Sequence, residues 1–158
     1  MSASFVLPLL EQAGVNFLAA QTFAQTDEDG IALDAERILK GFQRVATVDE
    51  EKKIPLPYAL VSCVTATAES LFSGNWTAQL DVELRSKVFD TSDAAHQAMA
   101  EELFAFFFSS TIAADLTAAL SGFTAFLILP VQQSRAIENN SWVSRGRFTV
   151  RCCGSTIS

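Results

Sequence analysis

The stretch Trp76-Thr-Ala-Gln-Leu-Asp-Val-Glu-Leu-Arg-Ser86 alternates apolar and polar residues without an error. Alternation with a period of two is typical of a β-strand that has one buried face and one wet face. The segment 58–65 is apolar on both of its faces, which is expected of a strand that is covered on both sides. These two segments predict the centre of a sheet, with a link between them that is too long for a tight hairpin.

Helices are predicted before and after this strand pair in the sequence. Apolar residues recur every three or four positions over 4–24, so a first helix starts near Pro8. Asp34 is placed as the N-cap of a short second helix. Asp90 is placed as the N-cap of a third helix, and a fourth covers 110–120. Two helices therefore precede the strand pair and two follow it.

The last two strands are expected at 123–131 and 142–153, joined by a polar loop. The element order is then α-α-β-β-α-α-β-β. Because this order has hairpin-like pairs, it predicts an α+β fold with a mainly antiparallel four-stranded sheet packed by helices on one face. The length fits one domain over 1–158, in which 1–48 supplies the N-terminal helices and 54–153 the core of sheet and helices.

Composition narrows the class of protein. Hydrophobic residues make up 49% of the chain and charged residues 18%, so a packed globular core is expected. The net charge of −7 argues against a protein that binds nucleic acid, because such proteins neutralise phosphates with clustered Lys and Arg. No apolar run reaches the roughly 18 residues of a membrane span, and the N-terminus lacks the basic residues of a signal peptide. We therefore expect a cytoplasmic chain without membrane contact.

The residues give little support for catalysis or metal binding. Cys63, Cys152 and Cys153 have no C-x-x-C spacing, so reduced thiols are expected. Phosphate-binding glycine loops and a Gly-x-Ser-x-Gly elbow do not occur in the sequence. His96, the single histidine, lies on the apolar stripe of its helix and is expected to be a half-buried imidazole bonded to the backbone or to a strand side chain. No catalytic residue, metal or cofactor is predicted.

Charge is unevenly distributed along the chain. Residues 1–110 carry sixteen acids and seven bases, a net −9, whereas 111–158 carry two acids and four bases, a net +2. Three of these bases, Arg145, Arg147 and Arg151, fall on one face of the last predicted strand. Such an asymmetry suggests oppositely charged surfaces that could meet head to tail between copies of the chain.

Two further groups complete the candidate subunit interface. The polar face of the alternating strand carries Asp81 and Glu83, which pair with the arginines if the two strands are neighbours. If the strands are not neighbours, the arginines are free to meet another subunit. The helix end at 104–108 has phenylalanine at four of five positions, so Phe104 and Phe108 either pack in the core or face a second molecule.

Four short motifs resemble the neck and tail-completion proteins of tailed bacteriophages, the tail terminators among them. They are Leu56-Pro-Tyr-Ala-Leu-Val-Ser, Gly74-Asn-Trp76, Asp90-Thr-Ser-Asp-Ala-Ala-His96 and Asn140-Ser-Trp142. The resemblance covers 54–153 and is weaker for the helix pair before residue 50. It implies an α+β subunit that forms a ring, expected to be a hexamer, and it offers no catalytic residue.

The resemblance also implies partners and a location. Such a ring ends the growth of the tail tube and joins the tail to the head connector. Its partners are then other copies of the chain, the tail tube protein and a connector or adaptor protein, and DNA passes through the lumen without specific binding. The location is the neck of the virion, assembled in the cytoplasm of the bacterial host. The alternative, from another class, is a small cytoplasmic enzyme or ligand-binding domain that uses His96 and Cys63.

Overall fold

In a computed structural model, residues 5–41, 56–70, 74–88 and 92–154 are described, and they form one β-sheet with helices on one face. The helices are α1 (Val6–Ala19), α2 (Ala94–Ala105) and α3 (Ile112–Ala119). The strands are β1 (Ile38–Lys40), β2 (Tyr58–Ser62), β3 (Ala66–Ala68), β4 (Asn75–Lys87), β5 (Thr124–Glu138) and β6 (Ser141–Cys153). Two 3₁₀ turns, Ala35–Arg37 and Phe106–Phe108, precede β1 and extend α2.

The sheet contains six strands in the order β1-β2-β4-β6-β5, with β3 paired to β4 beyond the end of β2. All pairs are antiparallel except β1 with β2, which is parallel. The predicted α+β class is confirmed. The predicted number of four strands and the order α-α-β-β-α-α-β-β are wrong, because the sheet has two more strands and is mixed through the one parallel pair. Those two strands, β1 and β3, have three residues each, which is too short for a period of two to stand out.

The second predicted helix is wrong at its start. Asp34 does act as a cap, but its carboxylate accepts the N–H groups of Glu36 and Arg37 in a single 3₁₀ turn, and the chain continues as β1. Pairing with β2 satisfies the backbone of Ile38 and buries its side chain, so the tertiary context overrides the helical spacing. The remainder of that predicted helix, from 42 onward, lies outside the described residues.

Helix α2 begins later than expected. Ala94 is its first residue and Asp93 holds the N-cap position, without a hydrogen bond from its side chain to the first turn. Asp90, the predicted N-cap, lies outside the described residues. The alternating segment 76–86 is confirmed as a strand, since β4 extends it by one residue at each end.

Strands β5 and β6 form a long hairpin that is closed by Asn139 and Asn140. Both residues have positive φ, 51° and 60°, as a two-residue type I′ turn requires. The predicted polar loop over 132–141 is therefore wrong, because the ladder with β6 continues to the turn. Two register shifts, at Phe126 and at Val131, interrupt this ladder.

The helices pack on the sheet face that carries Leu80, Val82 and Leu84 of β4, all of them fully buried. Helix α1 approaches β2 closely at Gly14, where an added Cβ would lie 2.8 Å from Cγ1 of Val61. Since Val61 is itself buried and β-branched, it cannot move aside, and only glycine permits this approach.

The phenylalanine cluster at the end of α2 belongs mainly to the core. The ring of Phe107 lies 5.1 Å from the ring of Phe148 and 5.6 Å from that of Phe17. Phe104 is buried as well, whereas the side chain of Phe108 is 53% exposed. Core packing therefore accounts for Phe104 and Phe107 and leaves Phe108 at the surface.

Within the described ranges, no single helix is both long enough and apolar enough to cross a membrane. The helical pair Ala94–Phe108 and Ile112–Ala119, which is bent by 90°, meets that criterion only jointly and only on length and composition.

Candidate functional site

Exposed apolar side chains concentrate on β5. In the described part of the chain, five of the eight large apolar side chains that are exposed lie on this one strand: Phe126 (40%), Leu127 (40%), Leu129 (50%), Val131 (58%) and Ile137 (64%). Leu127 and Leu129 pair with Arg151 and Thr149 on the face opposite the helices, whereas Ile137 pairs with Trp142 on the helix-facing side. Exposed large apolar side chains concentrated on one element mark sites of interaction. Strand β5 is therefore the first element of the candidate site.

The outer edge of β5 is only partly open. No described strand pairs with it on the side away from β6. Near its start, the hydroxyl of Thr117 accepts the N–H of Ala125 at 2.9 Å. Pro130 has no N–H, and bulges lie on both sides of it, devices that protect a sheet edge against strand addition. The open part of the edge is thus the segment 132–138.

The alternation of hydrogen bonds along the hairpin identifies which backbone N–H and C=O groups of 132–138 point away from β6. Glu138 and Ser141 flank the two-residue turn and form a bonded pair. Because bonded and non-bonded pairs alternate along an antiparallel ladder, the backbones of Ile137, Arg135 and Gln133 point outward, away from β6. These three residues present both backbone groups and side chains at the edge of the sheet.

The face of the sheet opposite the helices carries a network of ion pairs. Glu83 on β4 accepts hydrogen bonds from Arg85 at 2.7 Å and from Arg145 on β6. Arg145 also donates to Glu138 on β5 at 2.6 Å. Asp81 pairs with Arg147 at 2.9 Å in the same way. The strands are thus neighbours, and the predicted pairing of both acids with the arginines is confirmed.

Arg151 has a different partner, one that the sequence did not indicate. Its guanidinium donates twice to the carboxylate of Glu69, at 2.6 and 3.0 Å, and this hydrogen bonding lowers the pKa of Glu69. All three arginines of the candidate interface are therefore engaged within their own chain. Their contact with a second subunit stays a prediction, and so does that of Phe104 and Phe108.

We expect Arg145→Glu to lower the free energy of unfolding by about 1–2 kcal/mol, because it places a third carboxylate beside Glu83 and Glu138. The exchange Glu83→Arg combined with Arg145→Glu should recover part of that loss. Arg135→Glu is the matched control, since the side chain of Arg135 is 82% exposed and lies 3.9 Å from its nearest acid, Asp93. Urea denaturation measures all three variants, and equal losses for Arg145→Glu and Arg135→Glu would contradict the network.

A groove of about 910 Å³ lies between α2 and the β5–β6 hairpin. Asp93 and His96 line it on the side of α2, and Ile137 and Trp142 line it on the side of the hairpin. The residues that line the groove include Asp93, His96, Phe108, Arg135, Trp142 and Ser144. The groove is mostly apolar in its walls and carries charges of both signs at its rim.

His96 lies in the wall of this groove and is held at both ring nitrogens. Its Nδ1 lies 2.6 Å from Oγ of Ser86 on β4, and its Nε2 lies 2.8 Å from Oγ of Ser144 on β6. Burial lowers the pKa of the imidazole to about 4, against the opposing effect of the Asp93 charge. The ring is therefore neutral near pH 7, with one donor and one acceptor that match the two hydroxyls. The expected bonds to strand side chains are present.

Cys63 lies elsewhere and does not assist His96. Its N–H donates to a carboxylate oxygen of the buried Glu11 on α1 at 3.2 Å, and it does not line the groove. Burial and the Glu11 charge raise the pKa of the Cys63 thiol, and burial raises that of Cys152 to about 12. Both thiols are protonated at neutral pH and so are poor nucleophiles. The described residues contain no cluster of three or more metal-ligating side chains.

The sequence carried a signal for the two serine partners of His96. Ser86 follows the even-numbered apolar positions of β4, and Ser144 lies among the apolar positions of β6 that face the helices. A hydroxyl on a buried strand face needs a hydrogen-bond partner, and the single histidine is a suitable one. The role of Glu69 had no such signal, because β3 is too short to be predicted.

No protein-family model matches the chain, and no curated protein sequence matches it.

Proposed function

We propose that this chain is a structural assembly protein of the phage neck, of the tail-terminator type, which forms a sixfold ring at the head-tail junction. The exposed apolar surface of β5 is the observation that carries the proposal. The four sequence motifs that resemble neck and tail-completion proteins point to the phage neck as the kind of assembly. In this function the ring ends the growth of the tail tube and joins the tail to the head connector.

The bulges and the proline of β5 favour an assembly with a fixed number of subunits. An open, flat, apolar edge strand recruits further strands without limit, and the bulges at Phe126 and Val131 together with Pro130 prevent this. The apolar side chains remain available to a partner that docks on them. A strand of this kind favours contacts with defined stoichiometry over fibre formation.

The proposed ring also has partner proteins and a location in the virion. The other surfaces of the ring would meet the tail tube protein and the connector or adaptor protein, inside the virion neck. The net charge of −7 favours a lumen through which DNA phosphates slide without being held. No catalytic step is part of this function.

A second candidate is favoured by one observation, the groove of about 910 Å³ beside His96 and Ser144. It would make the chain a small ligand-binding domain or enzyme, without Cys63, which lies outside the groove. Mass in solution separates the two candidates. A ring or a ring-forming tendency favours the assembly protein, whereas a monomer that binds a small molecule in the groove favours the second candidate.

The test of the assembly function is complementation of phage particles that lack this chain. We expect those particles to have overlong tails or unjoined heads and tails in electron micrographs. The wild-type chain should restore them, and the double variant Leu129→Ser with Val131→Ser should not, since it removes exposed apolar area from β5. Phe5→Ser is the control, because Phe5 is 73% exposed and is the N-cap residue of α1, outside β5.

Two results would contradict the proposal. Particles without the chain could have joined heads and tails of normal length, in which case the chain has no role at the neck. Alternatively, the β5 double variant could fold and complement as well as Phe5→Ser does, in which case β5 is not the assembly surface.

A further inference from the structure

The open segment 132–138 of β5 is an edge of defined length that a further strand can extend. Gln133, Arg135 and Ile137 each direct an N–H and a C=O away from β6, and no described strand pairs with them. All three residues are exposed. Upstream, a proline and two bulges close the edge, and downstream the hairpin turn ends it. The segment therefore offers donors and acceptors at the repeat of a β-strand.

The groove between α2 and the hairpin borders this same segment on the helix side of the sheet. Five successive residues of β5, 133–137, line it. Its apolar walls come from Ala100 and Phe108 on the helical side and from Ile137 and Trp142 on the hairpin. Because side chains of a strand alternate between the two faces of a sheet, a strand added to β5 would direct every second side chain toward the groove.

We propose that the segment 132–138 and the groove together bind an extended segment of a partner polypeptide, which adds as a strand to β5 and places apolar side chains at alternate positions in the groove. The outward backbone groups select this class of ligand, because another extended backbone presents donors and acceptors at the same spacing. The inference goes beyond the proposed function, whose tested residues, Leu129 and Val131, lie outside this segment and do not line the groove.

Other occupants fit these features less well. A small molecule could fill the groove but would leave the outward backbone groups of β5 without partners. The same segment of a second copy would bring two Arg135 side chains into one short stretch of sheet, where like charges are unfavourable. The contact of Arg135 with Asp93, 3.9 Å across the groove, does not block a strand, because an exposed ion pair of this kind contributes little.

Random decapeptides selected on the immobilised full chain supply the probes. The enriched peptides should have apolar residues at alternate positions, and fluorescence polarisation measures their affinity for the chain in solution. Methylation of alternate amide nitrogens removes the hydrogen-bond donors from one side of the added strand at a time. Methylation on the side that faces β5 should weaken binding at least about tenfold, whereas methylation on the other side should leave it nearly unchanged.

Two variants of the chain test the edge and the groove separately. Gln133→Pro removes an outward N–H without removing a ladder bond to β6 or a charge, so it should fold and weaken peptide binding at least about tenfold. Gln133→Ala is its control and should keep most of the affinity. Ile137→Ser removes an apolar wall of the groove and should also weaken binding. Its control, Val64→Ser, changes an exposed apolar residue outside the groove and should not.

Several results would overturn the inference. They are a selection that enriches no binding peptide, a folded Gln133→Pro chain that binds the peptides as well as the wild type does, and equal effects of methylation on the two sides. If Gln133→Pro does not fold, Ile137→Ser and the methylated peptides decide in its place. A dimer of the chain that Ile137→Ser dissociates would make a second copy the occupant and would also overturn the inference.

The outcomes for this inference and for the proposed function are distinct. Peptide binding at the β5 edge, together with particles that assemble normally without the chain, would establish the site and reject the neck function. Tails that depend on the chain, together with an edge that binds no peptide, would leave the neck function standing and reject the site.

Discussion

Phe148→Ala should lower the free energy of unfolding by about 3–5 kcal/mol, the largest effect expected for any single substitution considered. Phe148 is 2% exposed, and its ring packs against those of Phe107 and Phe108 at 5.1 and 6.1 Å. Truncation removes this contact and leaves a cavity between α2 and the sheet, because β6 is fixed by its pairing on both sides. Urea denaturation of the dilute chain measures the loss.

The matched control for this substitution is Phe126→Ala on the neighbouring strand. Phe126 is 40% exposed and lies at a bulge, so its truncation should cost about 1 kcal/mol or less. If both substitutions cost the same, Phe148 does not hold α2 on the sheet.

Acid should destabilise the wild-type chain through His96. The pKa of about 4 in the folded chain lies below the ordinary value of 6.5, so the unfolded chain binds the proton first as the pH falls. The stability is therefore complete above pH 6.5 and declines as the pH falls toward 4. The two pKa values correspond to a loss of about 3 kcal/mol.

His96→Gln isolates this contribution from that of the carboxylates. The variant should be less stable by about 1–2 kcal/mol at pH 7.5, because the amide cannot bond to Ser86 and Ser144 as the ring does. Between pH 6.5 and 4 the stability of the wild type should approach that of the variant and then fall below it. Parallel stability curves over this range would show that His96 is not buried in its neutral form.

The histidine and serine arrangement also bears on function. If His96→Gln folds at pH 7.5 and still supports the joining of heads and tails, the imidazole has a structural role. If the folded variant fails to complement, the groove beside His96 contacts a partner or a ligand. The result thus decides whether His96 is only structural or belongs to a contact surface.

Local patterns were sufficient for part of the fold. The alternation over 76–86 located β4 to within one residue at each end, because the side-chain period of a strand is a property of the strand itself. The same alternation assigned Asp81 and Glu83 to the wet face, where they lie. Spacing also located α1, although Asp90 could not indicate where α2 begins.

Patterns failed where structure depended on distant residues. The spacing after Asp34 predicted a helix, yet pairing with β2 makes Ile38–Lys40 a strand. The polar composition of 132–138 predicted a loop, yet the ladder with β6 makes it the end of β5. In both cases the hydrogen bonds come from another strand, and their free energy outweighs the local preference.

The sequence by itself determined the class of the fold, the two faces of β4 and β6, and the uneven distribution of charge, since each depends on the order and type of neighbouring residues. Only the tertiary structure decided that Arg151 pairs with Glu69, that His96 joins Ser86 to Ser144, and that the apolar side chains of β5 remain exposed at the edge of the sheet. These features depend on which strands lie side by side and on how far the helices extend over them. Contacts between residues far apart in the chain set both, and no local period records them.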